Sequence, residues 1–240
     1  MDMKNSFGSM RNALDSLTLL GAEEYKEKEK VKASGVYSDE WKKRQMEYIT
    51  EEYERKKEAE REAAVNYAKE FQNAANEYIA KQTISTREHA DIVNIISALS
   101  PSSDKSDPAA ASDSMYVMAD LVLRYKDNEK ALRVISSAAR ARSLPSDGGA
   151  RDRLEEYAQA KQATSDLVEN MYRRFNNGIS GISPADAAGM FSKIEKVFPV
   201  GRAGNGSSEN YKGRILSNEE REELAMIRLR EAAGVPPYAG

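Results

Sequence analysis

From Val36 to Ser100 the chain contains neither glycine nor proline, and more than half of the residues from Asp39 to Glu70 are charged. Glycine and proline are the residues that most readily interrupt a helix, whereas Glu, Lys, Arg, Gln and Ala favour one. A stretch of this composition predicts a single very long helix. Ser38 followed by Asp39 and Glu40 supplies an N-cap and an acidic first turn, where the helix dipole favours negative charge. A helix from Ser38 to Gln82 would be about 67 Å long at 1.5 Å per residue. A rod of that length exposes too much surface to be explained by packing on one small core, so the chain is expected to span or to assemble.

The apolar residues of this helix fall into two stripes. Trp41, Met46, Ile49 and Tyr53 form the first; Ala64, Tyr67, Ala68, Phe71, Ala75, Tyr78 and Ile79 form the second. Between them, Glu54 to Glu62 has almost nothing to bury. Asp39 with Lys43, Glu51 with Arg55 and Glu52 with Lys56 place an acid four residues before a base, each pair adding roughly 0.2 to 0.5 kcal/mol. The middle of the helix is therefore expected to stand in solvent. Ser85-Thr86-Arg87-Glu88 is a capping-box pattern, opening a second helix that carries Ala90, Ile92, Val93, Ile95, Ile96 and Leu99. A helical hairpin turning at Thr83 to Ser85 would bury Phe71, Tyr78, Ile92 and Ile96 inside the chain. Trp41, Met46, Ile49 and Tyr53, on the solvated part of the rod, are expected to meet another chain.

Before the long helix, Phe7, Met10, Leu14, Leu17 and Leu20 recur at helical spacing and predict one or two short helices between Ser6 and Lys32. After it, Pro101, Pro108 and many Ser, Asp and Ala residues mark a linker. Helices are then expected over Asp113 to Tyr125, Asn128 to Ser143, Ala150 to Asn176 and from Pro184 to about Phe198, with Gly178 as the C-cap of the third. A glycine-rich segment, Gly201 to Gly213, precedes a further capping box, Ser217-Asn218-Glu219-Glu220, and a helix through Leu224, Ile227 and Leu229. The expected organisation is an N-terminal helical segment (1–35), the long charged helix with its return helix (36–100), a linker (101–112), a helical bundle (113–200), a glycine-rich hinge (201–216) and a C-terminal helix with its tail (217–240). The fold class is all-α: a long extended helix or helical hairpin plus a small helical bundle, joined by flexible linkers.

Composition narrows the function. A hydrophobic fraction of 40% and a mean hydropathy of -0.70 over 240 residues argue against a large compact core. Twelve Tyr against five Phe and one Trp suit thin bundles and interfaces, because a tyrosine buries its ring while keeping its hydroxyl wet. The net charge of -3 arises from 36 basic and 39 acidic residues, so no global field draws the chain to nucleic acid or to an anionic membrane. With no cysteine there is no disulfide framework and no thiolate metal site, which fits a reducing compartment. Leu17 to Leu20 is too short and interrupted for a signal-peptide core, and Met115 to Leu123 is broken by Asp120 and far below a bilayer span. A cytoplasmic protein without a membrane span is expected.

The chemistry-bearing residues are sparse. His89 is the only histidine, and a catalytic triad, a zinc site or a paired Glu-x-x-His di-iron site needs more convergent partners than one histidine supplies. Asp104, Asp107 and Asp113 lack the alternating acids, central glycine and terminal glutamate of a calcium loop. Gly201 to Ser208 superficially resembles a phosphate-binding loop, yet Ser207 stands where the phosphate-binding lysine belongs. No enzyme, cofactor or metal is expected. The most basic stretch runs from Leu121 to Arg153, and its Arg133, Arg140, Arg142, Arg151 and Arg153 are candidates for phosphate contacts or for pairing with carboxylates of a protein partner.

The charged tract Trp41 to Glu70, the breaks at Pro101 and Gly201 and the short capped helix Asn218 to Ala233 together resemble small helical proteins from phage or prophage virion-gene clusters, including scaffold-like assembly proteins. That resemblance implies a structural role, in the host cytoplasm or in a virion, and carries no functional residue with it. The expected function is a non-enzymatic helical assembly protein that associates with itself or docks on a larger complex through Trp41, Met46, Ile49, Tyr53, Leu224 and Ile227. The alternative is a nucleic-acid-associated helical protein using the basic segment of residues 121–153.

Overall fold

A computed structural model describes residues 2–99, 108–176, 184–200 and 217–232. The described residues form eight helices and no strand: α1 (Met3–Ala33), α2 (Asp39–Lys81), α3 (Thr86–Ala98), α4 (Pro108–Arg124), α5 (Glu129–Ala141), α6 (Ala150–Asn176), α7 (Pro184–Val197) and α8 (Asn218–Ala232). The all-α class is thus established, and α2 is the uninterrupted long helix that its composition predicts. The caps fall where the sequence places them. Ser38 Oγ accepts from the Trp41 N–H at 3.3 Å, Ser85 and Glu88 form a reciprocal capping box, and Ser217 Oγ accepts from the Glu220 N–H at 3.2 Å.

Two boundaries differ from expectation. The N-terminal segment is one helix of 31 residues, not one or two short ones, and it runs through Gly8 and Gly21. A glycine costs a helix about 1 kcal/mol, and the buried Phe7, Met10, Ala13, Leu14, Leu17 and Leu20 along α1 outweigh that cost. The expected linker is shortened, because α4 begins at Pro108; proline at the first helical position followed by Ala109, Ala110 and Ala111 favours a helix start. Residues 101–107 of that linker, the expected C-cap Gly178 and the glycine-rich segment of residues 201–216 lie outside the described residues.

The chain divides into two compact units, one drawn from Met1–Ala74, Thr164–Glu195 and Pro199–Gly240, the other from Ala75–Ala163 and Lys196–Phe198. In the first unit α1 and α2 form an antiparallel hairpin. As the α1 partner advances through Phe7, Glu24 and Lys32, its α2 partner retreats through Phe71, Lys57 and Lys42. Phe7 lies 5.1 Å from Phe71 and 5.4 Å, edge-on, from Phe191 of α7, while Arg11 covers the outer side of Phe191 and pairs with Glu195 at 2.7 Å. Leu20, Ile49 and Tyr53 form a second cluster, with Val31 packed against it, and α8 docks on α1 by setting Leu224 and Ile227 beside Leu19 and Ala22.

The middle of α2 does not stand in solvent. Lys57, Glu60 and Arg61 are buried, and they continue the face that Ile49 and Tyr53 begin and Ala64, Ala68 and Phe71 complete. The two apolar stripes are one stripe whose centre is ionic. Glu24 of α1 binds both Lys28, at 2.5 Å, and Lys57, whose side chain is 7% exposed; Lys57 also meets Glu54 at 3.3 Å, and Arg61 meets Glu54 and Glu58 at 3.1 and 3.2 Å. Burial pushes the Glu24 carboxyl up, but the hydrogen bonds and charges of Lys28 and Lys57 together outweigh it and hold Glu24 below its ordinary value.

In the second unit α3 and α4 pack on α5. Ile92 and Ile96 of α3 and Ala131, Leu132, Ile135 and Ala139 of α5 are fully or almost fully buried. The four residues expected to share one hairpin core are therefore divided: Phe71 belongs to the first unit, Tyr78, Ile92 and Ile96 to the second. Gln82 ties the end of α2 to the start of α5, donating to Asp127 O at 3.0 Å and accepting from the Glu129 N–H at 2.8 Å. Gly148 fixes the turn before α6. Its φ is +66°, and an added Cβ would lie 2.5 Å from the Met118 carbonyl carbon and oxygen, so the position excludes a side chain on two grounds.

Candidate interaction surfaces

Four of the six residues proposed for partner contact are occupied within the chain. Ile49 and Tyr53 are buried beside Leu20, and Leu224 and Ile227 beside Leu19 and Ala22. The expectation that they face another molecule is corrected, for a physical reason: α1 is long enough as one helix to reach both the N-terminal part of α2 and α8. Burial raises the Tyr53 hydroxyl to about 12, with Glu27 and Glu23 adding to the rise.

Trp41 and Met46 remain, Met46 half-buried and Trp41 at the turn between α1 and α2. Tyr37 stacks on Trp41 with ring centroids 3.9 Å apart and planes 21° apart, and Val36 beside them is 86% exposed. Trp41 itself is 39% exposed, and Tyr48, two helical turns further, is exposed as well. Trp41, Arg44 and Tyr48 share one side of α2, because residues three, four and seven apart share a helix face. The turn is held by the Ser38 cap and by a hydrogen bond from Lys42 Nζ to the Lys32 carbonyl at 3.2 Å, while Arg44 pairs with Glu40 at 2.6 Å along α2. The aromatic pair is thus stacked, set beside a capped helix start and open to solvent. Sequence reasoning named Trp41 and missed Val36, Tyr37 and Tyr48; the seven-residue step from Trp41 to Tyr48 was the available signal.

The second unit carries a further apolar surface on α4. Met118, Leu121 and Val122 are its buried face, leaving Met115, Tyr116, Val117 and Leu123 exposed.

The basic segment separates into structural and free arginines. Arg153 is 17% exposed and fully engaged: it donates to the carbonyls of Lys126 and Lys196 at 3.0 Å each, pairs with Glu156 at 2.6 Å and Asp127 at 3.4 Å, and lies 5.6 Å from the Tyr157 ring centroid. Arg142 satisfies the end of α3 by donating to Ser97 O and Leu99 O at 2.9 and 3.2 Å. Arg133 is exposed but paired with Glu129 at 2.6 Å, a carboxylate that burial raises and that Lys161 and Arg133 together hold below its ordinary value. Those three are corrected as phosphate ligands, since their donors close helix ends and neutralise carboxylates of the same chain. Arg140 and Arg151 remain, flanking an open hollow of about 430 Å³ lined also by Ser143, Ser146, Asp147 and Asp152. The two aspartates offset the two arginines there. Asp147 already caps α6, its Oδ2 accepting from the Arg151 N–H at 3.2 Å and from Ser136 Oγ at 3.1 Å.

His89 is exposed on the first turns of α3, and Asp113 is exposed on α4; Asp104, Asp107 and Gly201 to Ser208 lie outside the described residues. Among the described residues no group of three or more His, Asp or Glu side chains is placed to hold a metal ion, and no helix is long and apolar enough to cross a membrane. The chain matches no family model, no curated protein sequence and no solved structure.

Proposed function

We propose that the chain is a non-enzymatic helical assembly protein acting through protein contacts, in the manner of a phage virion or scaffold-like component. The observation that carries this reading is the stacked Tyr37–Trp41 pair with Val36 and Tyr48 exposed around it. Exposed aromatics held rigid before binding lose little conformational freedom on contact, and buried aromatic anchors supply most of the free energy at protein interfaces. The nucleic-acid reading is the weaker one, because three of its five arginines are consumed within the chain and the other two face aspartates.

Light scattering coupled to size exclusion across a concentration series, with wild type and Trp41→Ala side by side, tests the proposal. Mass that rises with concentration in wild type and not in Trp41→Ala supports it. A wild-type monomer at every concentration, together with salt-sensitive binding to duplex or single-stranded DNA, would replace it with the alternative.

A further inference from the structure

The occupant of the aromatic surface is itself legible on the chain. Helix α8 uses one face to dock on α1, through Leu224 and Ile227, and Lys26 pairs with Glu223 at the edge of that contact. Its opposite face is without cover: Glu219, Glu222 and Met226 are exposed and Leu229 is 67% exposed. Steps of three, four and three residues place these four on one stripe, acidic at its N-terminal end and apolar at its C-terminal end. The turn between α1 and α2 has the complementary composition. With the Lys26–Glu223 pair set aside, residues 27–44 hold six Lys or Arg against four Asp or Glu, surrounding Val36, Tyr37 and Trp41, while residues 218–222 hold three Glu against one Arg.

We infer that the outer face of α8 of one copy docks on the aromatic turn of a second copy, Met226 and Leu229 against Tyr37, Trp41 and Tyr48, Glu219 and Glu222 toward Arg44. This deepens the assembly reading and rests on it. The thioether of Met226 suits an aromatic partner, and the basic collar selects an acidic helix over a basic one. The two patches are different surfaces of the same molecule, so the contact is heterologous: each copy offers one of each, and association continues head to tail, into a ring where the rotation closes and into a filament where it does not.

Two variants test it, Trp41→Ala, which removes the stacked ring at the turn, and Met226→Glu, which puts a charge in the apolar end of the outer face of α8; both positions are exposed, and unchanged helical circular dichroism verifies the fold. Each variant alone is expected to stay monomeric where wild type associates. Mixed in equal amounts they are expected to form a one-to-one dimer and nothing larger, because only one intact pair of surfaces remains. Arg44→Glu should likewise abolish association, and adding Glu219→Lys with Glu222→Lys to the same chain should restore it. Association that survives Met226→Glu, or a mixture that stays monomeric, overturns this contact while leaving the assembly reading in place. A wild type that is monomeric throughout and binds vesicles of anionic lipid overturns both.

Discussion

The α1–α2 pairing of the first unit and the α3–α5 pairing of the second both close a long helical face, by opposite means. Between α3 and α5 the buried side chains are Ile92, Ile96, Leu132 and Ile135, with Ala131 and Ala139 filling the smaller positions. Between α1 and α2 the aliphatic and aromatic clusters at the two ends are separated by a charged layer, Glu24 with Lys57 and the Glu54–Arg61–Glu58 set beside it. The apolar interface gains from burial alone, roughly 25 cal/mol for each Å² removed from water, and tolerates sliding of one aliphatic side chain past another. The ionic layer gains little net free energy, because desolvation offsets attraction, but a displaced register leaves a charge buried without its partner. The second unit is thus held mainly by packing, and the first by packing at its ends with its register set by charge.

Breaking the apolar interface should cost most. Leu132→Ala removes a fully buried side chain and should destabilise the second unit by about 4 kcal/mol, read as a shift of the urea midpoint followed by a probe in that unit. Breaking the ionic layer comes next. Lys57→Met leaves Glu24 in a buried site with Lys28 alone and should cost about 3 kcal/mol, whereas Glu24→Leu combined with Lys57→Met should come out near neutral. A double-mutant cycle that finds the two substitutions additive would show that the layer is not a coupled unit.

Acid should separate the contributions further. Glu24 and Glu129 are both held below the ordinary carboxylate range in the folded chain, so the unfolded chain binds protons more tightly at these sites. The stability they add is complete above the unfolded carboxylate value of about 4 and is lost as pH falls through their lowered folded values. A urea-midpoint series from neutral to acid pH should therefore be flat and then fall, and Glu24→Gln should reduce the fall in the first unit only. The smallest effects are local. Ser38→Ala and Ser85→Ala should each cost about 1 kcal/mol, because the cap chemistry is alike in the two units even though their interiors differ.

Much of this architecture could be read from the residues. The absence of glycine and proline announced that α2 is uninterrupted, and the capping boxes at Ser85 and Ser217 marked the starts of α3 and α8. The gap at Glu54 to Glu62 misled, because burial was judged from polarity on one helix. Lys57 is buried because Glu24, 33 positions earlier, lies opposite it, and nothing local to α2 announces that partner. The partner surface was misread for the same reason. Ile49, Tyr53, Leu224 and Ile227 have the composition of an interface, and they are one, with α1 of their own chain. What remains outside, Val36, Tyr37, Trp41 and Tyr48, was only part-legible, since exposure depends on which face α1 covers.

The most direct test of an α2 closed by its own chain is amide hydrogen exchange across Glu54 to Glu62 at a concentration low enough for light scattering to report a monomer. Protection there equal to that of the flanking residues around Tyr53 and Ala64 is the expected result. Rapid exchange in the monomer, with protection gained only on association, would contradict it and return the charged middle of α2 to solvent or to another molecule.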